Sequence, residues 1–178
     1  PLPPARSGAF ASSASGPESE TIGVIDLGTN TFHLMIVDFD ENGGYLVREK
    51  FKETVKLGEG GINQGIIAPA AYARGIAAME RFARILAGKP VARVLAFGTS
   101  ALRGASNARA FVAEAKAKSG IDIRIINGNE EALLIYKGVR SGLQLPYDDN
   151  ALLIDIGGGS VEFIVGTHHQ AKLLRSLK

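Results

Sequence analysis

Apolar and polar positions alternate along this chain in short blocks from Thr21 onward. Residues 22–26 and 31–38 are apolar, β-branched runs separated by Leu27-Gly-Thr-Asn30, which predicts a β-hairpin. Residues 45–54 alternate well enough for a third strand, after a turn at 41–44. Residues 58–68 carry five Gly or Asn and read as a loop. Pro69 then opens a helix to about Leu86, in which Ala73, Ile76, Ala77, Met79, Glu80 and Ala83 mix apolar and polar helical faces. Residues 92–97 predict a strand leading into the turn Gly98-Thr-Ser100. A short helical turn (101–104) follows, then a helix at 107–118 with Asn107 as its cap, and a strand at 121–126. Asn127-Gly-Asn129 leads into a helix at 130–142. After a polar linker at 144–150, strands are expected at 151–156, 161–165 and 170–176. The order βββαβαβα followed by a new hairpin predicts an α/β chain, with a mixed sheet flanked by helices.

The most informative feature is a repeat. Residues 25–37, IDLGTNTFHLMIV, align with residues 154–166, IDIGGGSVEFIVG, about a hundred and thirty positions later. Each copy has an apolar strand, an Asp at its end, a small-residue turn, a hydroxyl residue and a second apolar strand. Small residues let backbone N–H groups approach an oxyanion closely, and hydroxyls add donors. An Asp beside such a turn is placed to hold a hard cation that bridges phosphate oxygens. One copy alone reads more naturally as a tight hairpin whose Asp serves the turn. Two copies reverse that balance, because two facing loops are the layout needed to clamp a phosphate from both sides.

Composition narrows the field. The 178 residues are 46% apolar, with mean hydropathy +0.10, enough for an ordinary core. Lys and Arg number 20 against 18 Asp and Glu, with no block of like charge, so no nucleic-acid-binding arm is expected. The absence of cysteine excludes disulfides and thiolate metal sites, and is compatible with a cytoplasmic location. No apolar run approaches the roughly 20 residues needed to span a bilayer, so no membrane partner is expected. Residues 1–20 are rich in Pro, Ser, Gly and Ala without an apolar signal-peptide core, and are expected to be a disordered tail or engineered sequence. The start without Met reads as processed or engineered.

Four stretches, IDLGTNTFHLMIV, FGTSALRGASN, INGNEEALLIYKGV and LLIDIGGGSVEFIVG, occur in the same order as in the exopolyphosphatase/guanosine-pentaphosphate phosphatase (Ppx/GppA) family. The resemblance covers about residues 21–178. It implies an actin-like, ribonuclease H-like ATPase fold, in which two related domains each give one phosphate loop to a central cleft. On that basis 21–142 is expected to be the first domain. Residues 151–178 would be only the opening strands of the second, the rest of which is truncated. Thr29 and Thr31 replace the usual serines, and Gly104 stands where a longer side chain is common.

If 130–142 is helical, Ala132, Ile135, Tyr136 and Val139 form its apolar stripe, with Glu131 flanking it and Glu130 turned away. A carboxylate beside the buried face can have a raised pKa suited to accepting a proton from water. Two glutamates in a first turn also simply complement the helix dipole. The resemblance places the catalytic glutamate at the second of the two, Glu131. It implies an Mg²⁺-linked carboxylate set of Asp155 and Glu162, with Asp26 as the symmetric candidate. The expected phosphate contacts are Gly28, Thr29, Asn30 and Thr31, then Gly157, Gly158, Gly159 and Ser160, with Thr99 and Arg103. His33 reads as structural, and His168 and His169 as turn residues. Lys56, Arg74, Arg81 and Arg84 either line a polyanion path or solvate a surface. The implied activity is hydrolysis of a terminal phosphoanhydride in inorganic polyphosphate or guanosine pentaphosphate by a homodimer. The rival readings are a non-catalytic nucleotide- or polyphosphate-binding module and an actin-like ATPase or sugar kinase fragment.

Overall fold

Strand β1 (Glu20–Leu27) runs up the middle of a five-stranded sheet, flanked on one side by β2 (Thr31–Phe39) and β3 (Tyr45–Thr54). On the other side lie β4 (Arg93–Gly98) and β5 (Ile123–Ile125). β1–β2 and β2–β3 pair antiparallel, whereas β4 runs parallel to β1 and β5 parallel to β4, so the sheet is mixed. The structure, a computed structural model, describes residues 20–40 and 44–178. Most of the expected tail and of the 41–44 turn lies outside these residues.

Helices α1 (Pro69–Ala87) and α3 (Ala108–Ser119) cover one face of this sheet. Ile25, Leu27, Phe32 and Leu34 bury there against Ile76, Met79, Phe82 and Phe111. Gly75 lets the two helices close up, since a Cβ built on it would lie 2.7 Å from the Phe111 ring. Asn107 stands at the N-cap position of α3 but does not cap it. Its side-chain amide instead accepts from Ile67 N–H and donates to Ile67 C=O, both at 2.9 Å, pinning the 58–68 loop to the helix start.

The short α2 (Ser100–Gly104) follows β4, and α4 (Gly128–Gly142) follows β5. A second sheet is an antiparallel set of β6 (Ala151–Ile156), β7 (Val161–Gly166) and β8 (Ala171–Leu177), with β7 central. Helix α4, expected to close the first domain, packs instead on this second sheet. Ala132 and Tyr136 are buried with Ile164, flanked by the half-buried Ile135 and Val139, and Tyr136 Oη donates to Thr167 C=O at 2.7 Å. No described helix is long and apolar enough to cross a membrane.

Candidate active site

The two repeats fold into hairpins of one register. Asp26 is the cross-strand partner of His33, and Asp155 that of Glu162. In both turns the first glycine N–H is used the same way: Gly28 donates to Thr31 C=O at 3.1 Å and Gly157 to Ser160 C=O at 2.9 Å. The next two N–H groups of each loop, Thr29 and Asn30, then Gly158 and Gly159, donate to no protein acceptor among the described residues. Their carbonyl sides are pinned in the first loop. Val55 and Lys56 N–H both donate to Asn30 C=O, and Gly58 N–H donates to Thr29 C=O. An edge of free N–H groups beside fixed carbonyls is a surface suited to an oxyanion.

The loops meet rather than stand apart. A Cβ built on Gly158 would lie 2.5 Å from Asn30 Nδ2, and one on Gly159 would lie 2.4 Å from Thr29 Oγ1 and 3.0 Å from Ser100 Oγ. Only glycine allows this approach. Ser100 Oγ donates to Gly159 C=O at 2.7 Å, tying α2 to the second loop. Ligand-sized space lies to either side of the contact. One cavity of about 390 Å³ runs along α2 and Gly157–Ser160, and another of about 450 Å³ lies against Thr29, Asn30 and Lys56.

Thr99, expected at a phosphate, is buried behind the loops, its hydroxyl 3.4 Å from Leu27 C=O. Its neighbour Ser100 is the hydroxyl that reaches the second loop, and nothing in the run Thr99-Ser100 distinguishes the two beforehand. Thr29 and Ser160 are also buried, whereas Asn30 and Gly157 are exposed and Gly28 and Thr31 half-buried.

Arg103, at the end of α2, donates through Nη1 to Glu131 Oε2 at 2.8 Å and to Ile126 C=O at 3.1 Å. Glu131 is set by the start of α4, where Asn127 Oδ1 caps Glu130 N–H at 2.9 Å and Asn127 C=O receives Glu131 N–H. Glu130 points elsewhere and pairs with Arg124 at 2.6 Å. Burial pushes the Glu131 carboxyl above the ordinary carboxylate range. The hydrogen bond from Arg103 opposes this, the charges of Glu162 and Asp26 add to it, and the net direction is upward.

Asp26 is pushed up to about 6, first by desolvation and then by the charge of Asp155. Its carboxyl keeps a solvent-open side while protein surrounds it, the condition of a group in a cleft. Glu162 is almost fully buried and accepts a 2.7 Å hydrogen bond from Ser176 Oγ. Ser176 reaches it because Gly128 has no side chain, a Cβ there lying 2.4 Å from Ser176 Cβ.

The three expected metal carboxylates therefore do not form one cage. No group of three His, Cys, Asp or Glu side chains among the described residues is arranged to hold a metal. Glu162 is held by Ser176, while Asp26 and Asp155 remain exposed and within electrostatic reach of each other. Two hard carboxylates suit Mg²⁺, which commonly takes one or two such ligands and completes its shell with water and phosphate oxygens. His33, expected to be structural, is exposed opposite Asp26, its pKa lowered by partial burial and then by Lys52. His168 and His169 pack with Tyr147 at the other end of β7, with ring centroids at 4.6 and 5.4 Å.

The duplicated hairpin loops, the mixed sheet and the flanking helices define an actin-like, ribonuclease H-like α/β protein. A profile of the Ppx/GppA phosphatase family matches residues 35–178, and the chain belongs to that family. A guanosine-5'-triphosphate,3'-diphosphate pyrophosphatase of Photobacterium profundum is 40% identical over 164 residues, covering 91% of this chain and 32% of the relative. The crystal structure of an exopolyphosphatase from Cytophaga hutchinsonii is 40% identical, superposes with TM-score 0.84 and covers 89% of this chain and 50% of that one. A Ppx/GppA member from Aquifex aeolicus, 23% identical with TM-score 0.77 over 90% of this chain and 51% of that one, shares the fold. The chain thus spans about half the length of these solved relatives and about a third of the curated one.

Proposed function

We propose that this chain carries the first half of the cleft of a phosphoanhydride hydrolase that releases the terminal phosphate of inorganic polyphosphate or guanosine pentaphosphate. The observation that carries this reading is Glu131. Burial raises its pKa, Arg103 holds its carboxyl, and the charges of Glu162 and Asp26 lie within electrostatic reach of it. The free N–H groups of both loops receive the terminal phosphoryl oxygens. Water attacks the terminal phosphorus, its proton passes to Glu131, and the anhydride bond breaks with its electrons on the oxygen of the next phosphate. Mg²⁺ bound by Asp26 and Asp155 would supply neutralising charge for the phosphate oxygens. Arg103 orients Glu131 and limits the upward drift of its pKa, keeping it a base. Most of the rate would come from positioning and electrostatics, as in phosphoryl transfer generally.

In the same reading α4 and 151–178 open the second actin-like domain, and the functional unit is a homodimer. The names of the relatives support both substrates and do not rank them. Orthophosphate release by the complete gene product, measured side by side on polyphosphate and guanosine pentaphosphate, is the test. Release from at least one is expected, and release from neither contradicts the proposal.

A further inference from the structure

Lys56 is the one non-glycine residue with positive φ among the described residues, at +49°. The left-handed region costs an L-residue roughly 1–2 kcal/mol and persists only where the surroundings impose it. Here they do. Val55 and Lys56 N–H converge on Asn30 C=O at 3.1 and 2.8 Å, and Arg74 donates to Val55 C=O at 2.7 Å and to Lys56 C=O at 3.2 Å. The bend lets Val55 and Leu57 both enter the core and turns the Lys56 side chain outward between them. That accounts for the backbone, and leaves open what the ammonium is for.

The side chain lies along the 450 Å³ depression with Thr29, Asn30, Thr54, Gly58, Gly158 and the Glu59 carboxylate, which Arg74 neutralises. Other basic side chains nearby are committed. Arg74 pairs with Glu59 at 2.7 Å, and Arg81 grips both Glu53 oxygens at 2.9 and 2.8 Å. The Lys56 ammonium has only a 3.9 Å contact to Glu59, whose charge Arg74 already matches. A mobile point charge beside the Asn30 amide and two N–H-rich loops suits a phosphate oxyanion.

We infer that this depression is a subsite for a phosphate of the substrate other than the one that reacts, with Lys56 as its counter-charge. The substrate class is a chain of consecutive phosphates. The inference rests on the phosphoanhydride reading. Lys56→Gly separates the backbone role from the charge, because glycine adopts positive φ without strain and keeps the bend.

The test is calorimetric titration of the complete gene product, carrying Glu131→Gln to prevent turnover, with tripolyphosphate and with orthophosphate. Lys56→Gly is expected to weaken tripolyphosphate about tenfold at low salt, less at high salt, and to change orthophosphate little. Lys56→Arg should restore most of the loss. Equal tripolyphosphate affinity with and without Lys56, or equal loss for both ligands, overturns the subsite. Failure of the parent to bind tripolyphosphate overturns it as well. Lys56-dependent binding in a protein that never hydrolyses either substrate overturns the reaction and leaves the subsite standing.

Discussion

Arg103 holds Glu131 through a 2.8 Å ion pair in which the two side chains are only 20% and 15% exposed. Of the influences on Glu131, only Arg103 pulls its pKa down, against burial, Glu162 and Asp26. Arg103→Ala should therefore raise that pKa further. A base works deprotonated, so the acid limb of the pH–rate profile of the complete gene product should move to higher pH, with kcat/KM reduced at neutral pH. An acid limb that stays in place would mean that Glu131 is not the group it reports.

Asp26 gives a stability signature. Its carboxyl titrates at about 6 in the fold against 3.8 ordinarily, so the folded state binds this proton more tightly than the unfolded chain does. That contribution is fully present below about pH 4 and is lost as pH rises through about 6. Asp26→Asn, which mimics the protonated form, should stabilise the protein at about pH 7 and leave it unchanged below about pH 4. Urea midpoints at both pH values check this, and an equal gain at each would make it a packing effect. Asp155→Asn should lower the Asp26 pKa in an NMR titration.

The loop contact predicts an order of damage. Gly159 faces the buried Thr29 and Ser100 hydroxyls, whereas Gly158 faces the Asn30 side chain, which is exposed and can swing away. Gly159→Ala should cost about 1–3 kcal/mol in denaturant melts, the usual range for overpacking, and Gly158→Ala less. Thr29→Ala should rescue part of the Gly159→Ala loss. Without that ordering, the loops do not meet as described.

The outer face of β6 carries Leu152, Ile154 and Ile156, exposed by 59%, 51% and 78%, on an edge strand. Such a row invites pairing between chains. The 178-residue chain should self-associate in light scattering, and Ile154→Lys should suppress this. A monomer across micromolar concentrations would contradict the expectation.

Much of this was legible in the chain because its signals are local. The two Asp-small-residue turns announced themselves by repetition, and both fold as the expected hairpins. The helical period of 132–139 put Glu131 and Glu130 on different faces, and the structure pairs them with different arginines, Arg103 and Arg124. What escaped was set by partners distant in sequence. Asn107 looks like a cap but serves Ile67, forty residues away. Periodicity reveals α4's apolar stripe without saying which sheet receives it. Ser176 beside Glu162 and the left-handed turn at Lys56 depend on close approaches that no single-strand pattern encodes.

The central claim is that Glu131, and not its neighbour, activates water. The direct measurement is single-turnover phosphate release by the complete gene product carrying Glu131→Gln or Glu130→Gln, with substrate affinity measured in parallel. Glu131→Gln should keep affinity and lose roughly 10²–10⁴-fold in rate, the usual contribution of a general base. Glu130→Gln, which loses only its rim contact with Arg124, should stay near the parent rate. Equal effects of the two substitutions, or a larger one at Glu130, would contradict the account.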